Sequence, residues 1–239
     1  MHRSPRWRGI IGALAGGLLA SSAWAAPCER RTDTVSNRAG SQLLLANVEC
    51  ADEDQRRIEV RYRSGAKGRA HTVLRLTQSI AEAPSGGAYA VDLDGDGEME
   101  IAVRGMCGAG PNCEGTIYKL AADRKSMFAY FVGGYADLRL QDGYLIEAGR
   151  ASCCSWEFHL YSPRAKHSPI VDDDMDYLIT VGLSDQDAAP PAEGGPPPEI
   201  DCTVLQRVGA DWKPAAIPAP GLAALCEVYG PHYRLNPAP

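Results

Sequence analysis

The chain has 239 residues, a formal net charge of −6 and 45% hydrophobic residues, which is enough apolar material for the core of one generous domain. An acidic chain repels phosphate groups, so nucleic acid and anionic membrane surfaces are poor partners, whereas cations and basic proteins suit it. The sequence contains neither a phosphate-cradling glycine loop nor a nucleophilic serine elbow. No catalytic residues are assigned, and we expect the protein not to be an enzyme.

The N-terminal segment, residues 1–25, is typical of a secretory signal peptide. Three Arg residues precede an apolar run over 10–20, and Ala23, Trp24 and Ala25 form a small-x-small cleavage pattern. The run is shorter than the roughly 20 residues that span a bilayer, so we expect no membrane insertion. Cleavage after Ala25 removes three Arg and no acid, which leaves 214 residues with a net charge of −9. The mature protein is expected in the periplasm or outside the cell.

Strand patterns dominate the mature chain. Apolar and polar residues alternate in short runs separated by turn residues, and Asp142-Gly143 is a strong hairpin signal. The predicted strands are 57–63, 71–78, 88–93, 99–104, 116–120, 126–132, 135–140, 144–147, 156–161, 202–208 and 212–216. Residues 41–48 favour a strand over a helix, and 222–228 could form a short helix. This pattern predicts an all-β fold, an antiparallel hairpin array that is either a sandwich or partly propeller-like.

Eight cysteines follow the predicted cleavage site. An even number after a signal peptide predicts disulfide bonds formed in an oxidising compartment. Proximity in sequence favours the pairs Cys28–Cys50, Cys107–Cys113 and Cys202–Cys226. Cys153 and Cys154 then either form a bridge between neighbours or each bond another cysteine. Zinc is the rival interpretation of clustered cysteines, but no Cys-x-x-Cys pair occurs.

An acidic loop at residues 92–100 is the strongest local signal. Asp92, Asp94 and Asp96 stand at loop positions one, three and five, Glu98 can offer a backbone carbonyl at seven, and Glu100 is at nine. Ca²⁺ prefers several hard oxygen ligands, and neighbouring carboxylates repel each other unless a cation lies among them. We therefore predict a structural Ca²⁺ site. The alternative is an acidic turn without a metal.

This loop resembles the calcium turns of FG-GAP and VCBS repeat proteins, which read Asp-x-Asp-x-Asp-Gly-x-x-Asp before an aliphatic strand. Residues 92–103 carry the match, with Glu100 in place of the last Asp. An EF-hand is disfavoured because Val103 stands where a bidentate Glu belongs. Residues 88–163 also look like single-domain periplasmic lysozyme-inhibitor or immunity-type proteins. The resemblance implies a structural Ca²⁺ and a role in binding a partner.

The domain organisation follows from composition. Residues 26–183 are predicted to form the β domain, 184–200 a Pro/Gly-rich linker or loop, and 201–239 a small C-terminal appendage closed by a disulfide. A second acidic cluster, Asp172–Asp174 with Asp176, is interpreted as a solvated turn, with a cation site as the alternative. His71, His159, His167 and His232 are interpreted as titrating surface residues.

The functional expectation is an exported, non-enzymatic, calcium-binding β protein of the bacterial envelope that binds a protein or glycan. One alternative is a periplasmic inhibitor or immunity protein against a lysozyme-like cell-wall hydrolase. Many such hydrolases are basic, so a charge of −9 suits them. A second alternative is a hydrolase of unrecognised type.

Overall fold

The computed structural model describes residues 28–108, 110–152, 155–162, 169–183 and 200–227. The predicted signal peptide, the Cys153 and Cys154 bonding, the linker at 184–199 and the residues from 228 onward lie outside these described residues. Within them, none of the helices is both long and apolar enough to cross a membrane.

Three antiparallel sheets make up the fold, and consecutive strands are neighbours throughout. The first sheet contains β1 (Glu29–Ser36), β2 (Gln42–Cys50), β3 (Gln55–Arg63) and β4 (His71–Ser79). The second contains β5 (Gly87–Val91), β6 (Glu100–Cys107), β7 (Cys113–Leu120) and β8 (Met127–Tyr135). The third contains β9 (Asp137–Gln141), β10 (Tyr144–Arg150), β11 (Ser155–Tyr161), β12 (Tyr177–Leu183), β13 (Ile200–Val208) and β14 (Asp211–Pro214). The predicted all-β, antiparallel class is confirmed.

The strands not foreseen are β1 and β12. Almost every residue of β1 is exposed, so the strand has no buried stripe to alternate. By contrast, β12 contains a nearly continuous apolar run, which periodicity alone does not distinguish from other buried segments. Three short 3-10 helices complete the described structure: Ala51–Glu53, Asp172–Asp174 and Pro220–Glu227. The last of these lies where a short helix was expected.

The second sheet is the middle layer, and each of its faces packs against a neighbouring sheet. On one face Ile101 and Val103 pack with Leu43, Val60 and other residues of the first sheet. On the opposite face Ala102 packs in a cluster shared with the third sheet. This explains why the first four residues of β6 are all buried rather than alternating. The fold is therefore a stack of three sheets. The acidic loop connects β5 to β6 and lies at one end of the middle sheet.

The third sheet is tied to the second by a parallel bridge between Phe131 of β8 and Ile170. Phe131 and Tyr161 are both fully buried, and their rings meet edge-on with centroids 5.7 Å apart. A further cluster on the third sheet surrounds Phe158 and includes Leu222 and Leu225 of the last 3-10 helix. The bridge also positions the 3-10 helix Asp172–Asp174, which begins two residues after Ile170.

The predicted disulfides Cys28–Cys50, Cys107–Cys113 and Cys202–Cys226 are confirmed. The first fastens the start of the edge strand β1 to the end of β2. The last joins β13 to the final 3-10 helix. Because β13 pairs with β12 over seven residues, the C-terminal segment extends the third sheet. The third sheet has β14 as an edge strand, and β14 is exposed throughout and ends at Pro214.

Candidate functional site

The acidic loop connects β5 to β6 and turns sharply. Gly95 and Gly97 have backbone φ angles of 72° and 85°, values that residues other than glycine rarely adopt. The backbone N–H of Gly97 donates to Asp92 Oδ1 over 3.3 Å, and that of Asp96 donates to Asp94 Oδ1 over 3.3 Å. The amides thus hold the aspartates on the inside of the turn.

Asp92, Asp94 and Glu100 converge. Each offers one carboxylate oxygen, and the three oxygens lie within 4.8 Å of one another. The side chains of Asp96 and Glu98 are engaged differently. Asp96 Oδ1 accepts the Glu98 N–H over 2.6 Å, whereas the Glu98 carboxylate accepts from Arg124 over 2.5 Å. Of the five residues predicted for the Ca²⁺ site, the structure therefore brings three carboxylates together.

Glu100 is the most unusual member of the cluster. It is the first residue of β6 and only 2% exposed, and its Oε2 accepts the Leu93 N–H over 2.8 Å. Burial raises the pKa of Glu100 to about 7, because desolvation outweighs the Leu93 hydrogen bond and the attraction of the Lys119 ammonium. The negative charge on this residue is thus costly in the folded protein, and a cation nearby would stabilise it.

Lys119 is the chain's own cation at this position, and no sequence pattern predicted it. Its Nζ, carried by β7, bonds to Asp94, lies 3.4 Å from Glu100 Oε1 and stands 4.5 Å from the centre of the Tyr130 ring. Burial works to raise the pKa of Asp94, but the Lys119 partner outweighs it and the pKa is lowered. A Ca²⁺ ion in the cluster would compete with this ammonium.

The turn between β1 and β2 supports the loop from the first sheet. Asn37 is 4% exposed, and its Oδ1 accepts the Met99 N–H over 3.0 Å. Its Nδ2 donates to Glu98 Oε2 over 3.2 Å. Arg38 donates its backbone N–H to the Gly97 carbonyl over 2.7 Å. A Cβ atom at Gly97 would lie 2.7 Å from the Arg38 Cβ, so this close approach also requires glycine.

The donor set fits a hard dication. Three carboxylate oxygens supply the charge and ligand type that Ca²⁺ prefers, and its remaining positions would be filled by backbone carbonyls or water. Lys119 is the feature that opposes binding, since it satisfies two of the three acids already. The affinity for Ca²⁺ therefore depends on how easily the ion displaces the Lys119 ammonium from Asp94 and Glu100.

A second cluster, not foreseen from sequence, lies on the third sheet. Glu147 of β10 and His159 of β11 are cross-strand partners, and Asp172 joins them with one ligand atom from each residue within 4.8 Å of the others. The Glu147 carboxylate is nearly buried and accepts from Tyr161 Oη over 2.6 Å and from the Gly134 N–H over 2.9 Å. Its contact with His159 Nδ1 spans 3.1 Å.

The electrostatics of this second cluster differ from those of the loop. Burial works to raise the pKa of Glu147, but the His159 and Tyr161 hydrogen bonds outweigh it and the pKa lies below its ordinary value. Burial also works to lower the pKa of His159, yet the adjacent carboxylates raise it. The His159 side chain is 25% exposed, so it is less of a surface residue than expected. Asp172 and Asp173 are exposed, whereas Asp174 and Asp176 of the same acidic segment are half-buried. Asp172 also interacts with the Tyr161 side chain.

A groove of about 860 Å³ runs across the second sheet. Asp172 and Asp173 lie among its lining residues, together with Glu114, Thr77 and Val132. No Lys, Arg or His belongs to this lining, as far as the described residues show. The groove is therefore acidic, and it meets the second cluster at Asp172.

No protein-family model matches the chain, and no curated protein matches it. Among solved structures, the chain is similar to a Xanthomonas protein described as related to a type IV secretion system. The two share 12% sequence identity with a TM-score of 0.44, over 78% of this chain and 93% of that one.

Proposed function

We propose that the protein is an exported, non-enzymatic β protein of the bacterial envelope that binds Ca²⁺ through its acidic loop. The observation that carries the proposal is the convergence of Asp92, Asp94 and Glu100 within 4.8 Å. The three disulfides support export, since such bonds persist in oxidising compartments. The loop spacing, which resembles that of FG-GAP and VCBS proteins, supports the choice of ion.

The ion has a structural role in this proposal. The acids lie where β5 ends and β6 begins, and the loop is contacted by Asn37 and Arg38 of the first sheet. A Ca²⁺ held by Asp92, Asp94 and Glu100 would offset the repulsion among three carboxylates and the cost of ionising a buried Glu100. It would thereby stabilise the contact between the first two sheets.

The partner in this proposal is a protein or a glycan, and the acidic groove favours a basic protein. Glu114, Asp172 and Asp173 line the groove, and the mature chain carries a net charge of −9 by the expected cleavage. Complementary charge speeds encounter and selects among partners. Inhibition of a basic, lysozyme-like cell-wall hydrolase is therefore the second candidate function. It is tested by measuring whether the purified mature protein slows such an enzyme.

The Ca²⁺ proposal is tested by thermal unfolding of the mature protein in Ca²⁺ and in chelator. Extracellular modules bind with a Kd on the order of 0.1–1 mM. Ca²⁺ at about ten times Kd should stabilise the fold by about 1.4 kcal/mol, which raises Tm by about 3–6 °C for a domain of this size. Asp92→Asn should abolish the rise because it removes one charge from the cluster while preserving the size of the side chain.

Asp33→Asn is the matched control, because Asp33 is an exposed acid on the edge strand β1. This variant should keep the full rise in Tm. Equal Tm values in Ca²⁺ and chelator for the unmodified protein would remove the Ca²⁺ proposal. The same rise in the Asp92 and Asp33 variants would show that the ion binds elsewhere.

A further inference from the structure

We propose that Glu147, His159 and Asp172 form a second metal site, for a transition-metal dication of the zinc class, at the edge of the acidic groove. The site is independent of the acidic loop. It is built from three separate elements: β10, β11 and the 3-10 helix Asp172–Asp174. The parallel bridge at Ile170 fixes the chain just before Asp172, so the third ligand is placed by regular structure.

The spacing suits a small dication. Ligand atoms about 2.1 Å from a tetrahedral Zn²⁺ lie roughly 3.4 Å from each other. His159 Nδ1 and Glu147 Oε2 are 3.1 Å apart, and all three ligand atoms lie within 4.8 Å of one another. Asp172 is exposed, and its side chain interacts with Tyr161, whose hydroxyl also donates to Glu147. A bound ion would draw the Asp172 carboxylate toward the other two ligands.

The groups around these ligands match those that support metal centres. A metal-bound histidine usually turns its other ring nitrogen toward a carboxylate, and a metal-bound carboxylate is usually held by hydrogen bonds. His159 Nε2 lies 3.6 Å from Glu157 Oε2, on the side of the ring away from Glu147. Glu147 is held by Tyr161 Oη and by the Gly134 N–H. The hydrogen bonds that hold the Glu147 carboxylate are therefore present, and Glu157 lies close enough to His159 for a charge interaction rather than a hydrogen bond.

The ligand chemistry selects the class of ion. An imidazole nitrogen with two carboxylates suits Zn²⁺ and related transition metals, whereas Ca²⁺ takes oxygen ligands. Three protein ligands leave a fourth position to water or to a donor from another molecule. Since Asp172 also lines the groove, we place that position on the groove side of the cluster. A histidine on a bound protein is one donor that would complete it.

The rival explanation is an ion pair without metal, with a protonated His159 between Glu147 and Glu157. Calorimetric titration of the mature, disulfide-intact protein with Zn²⁺ separates the two, and visible absorption of bound Co²⁺ reports tetrahedral coordination. The informative variant is Asp172→Asn, because Glu147 is a buried acceptor whose loss could unfold the chain. Asp173→Asn is the matched control, from the same 3-10 helix and the same groove lining.

We expect the unmodified protein to bind one Zn²⁺, with Asp172→Asn weakening binding at least about ten-fold, the loss that even a supporting group causes. Asp173→Asn should bind as the unmodified protein does. Asp92→Asn should also keep its Zn²⁺ affinity, so failure of the Ca²⁺ proposal leaves this result unaffected. The proposal is overturned if the unmodified protein takes up no Zn²⁺, or if the Asp172 and Asp173 variants bind with equal affinity.

Discussion

Substituting Glu100 by Gln should stabilise the protein at pH 8 in the absence of Ca²⁺. The pKa of Glu100 is raised from 4.5 to about 7 in the folded state. The folded protein thus binds this proton more tightly than the unfolded chain does. The stability that the proton on Glu100 contributes is fully present below pH 4.5 and is lost as the pH rises through 7.

The magnitude follows from the shift. Each pKa unit corresponds to about 1.36 kcal/mol, so the ionised Glu100 costs about 3 kcal/mol at pH 8. A neutral Gln escapes this cost, and for a domain of this size the Tm should rise by up to about 6–12 °C at pH 8. At pH 5 Glu100 is largely protonated in the folded protein, so the difference between the two proteins should fall to about 1 kcal/mol.

The assay is thermal or urea unfolding in chelator at pH 5, 6.5 and 8, with Glu98→Gln as the control on the same loop. His159 also has a raised pKa, so its contribution has the same sign and adds to the slope of the unmodified protein. The difference between the unmodified protein and Glu100→Gln isolates Glu100. If Glu100→Gln keeps the full slope of the unmodified protein, the assignment of that cost to the buried carboxylate is wrong.

Two further predictions concern the support of the loop and the edge of the first sheet. Asn37→Ala removes the acceptor of the Met99 N–H, so it should destabilise the fold by about 1–3 kcal/mol, measured by urea unfolding, and weaken Ca²⁺ binding. An unchanged midpoint would contradict this. Replacing Cys28 and Cys50 together by Ser opens a link between residues 22 positions apart, so it should cost about 3 kcal/mol. In this double variant, amide hydrogens of β1 should exchange faster than those of β2. Equal exchange in the two strands would show that the Cys28–Cys50 bond does not hold β1 in place.

The sequence predicted what is local. Alternation placed most strands, because one face of each is buried, and the Asp142-Gly143 turn is present with positive φ at both residues. Proximity of cysteines predicted the three described disulfides, because antiparallel neighbours and short loops bring such residues together. The acidic loop was identifiable from its spacing, but the spacing did not show that Asp96 and Glu98 bond to other partners while Asp92, Asp94 and Glu100 converge.

The remaining features depend on contacts between distant residues. Lys119 is a plain lysine on a predicted strand, and its pairing with Asp94 follows from the packing of β7 beside the loop. Glu147 and His159 became partners through the β10–β11 register, which a single sequence does not specify. A shift of one residue would send their side chains to opposite faces. Asp172 joined them only through the bridge at Ile170.

The outer strands of the stack limit how this molecule can associate. The exposed run of β1 carries Glu29, Arg30, Arg31 and Asp33, and β14 is exposed throughout and ends in Pro214. Charged side chains and proline at a sheet margin discourage another chain from adding itself as an extra strand. A second copy of the chain is therefore disfavoured as an added strand at these two edges, which opposes open-ended self-association there.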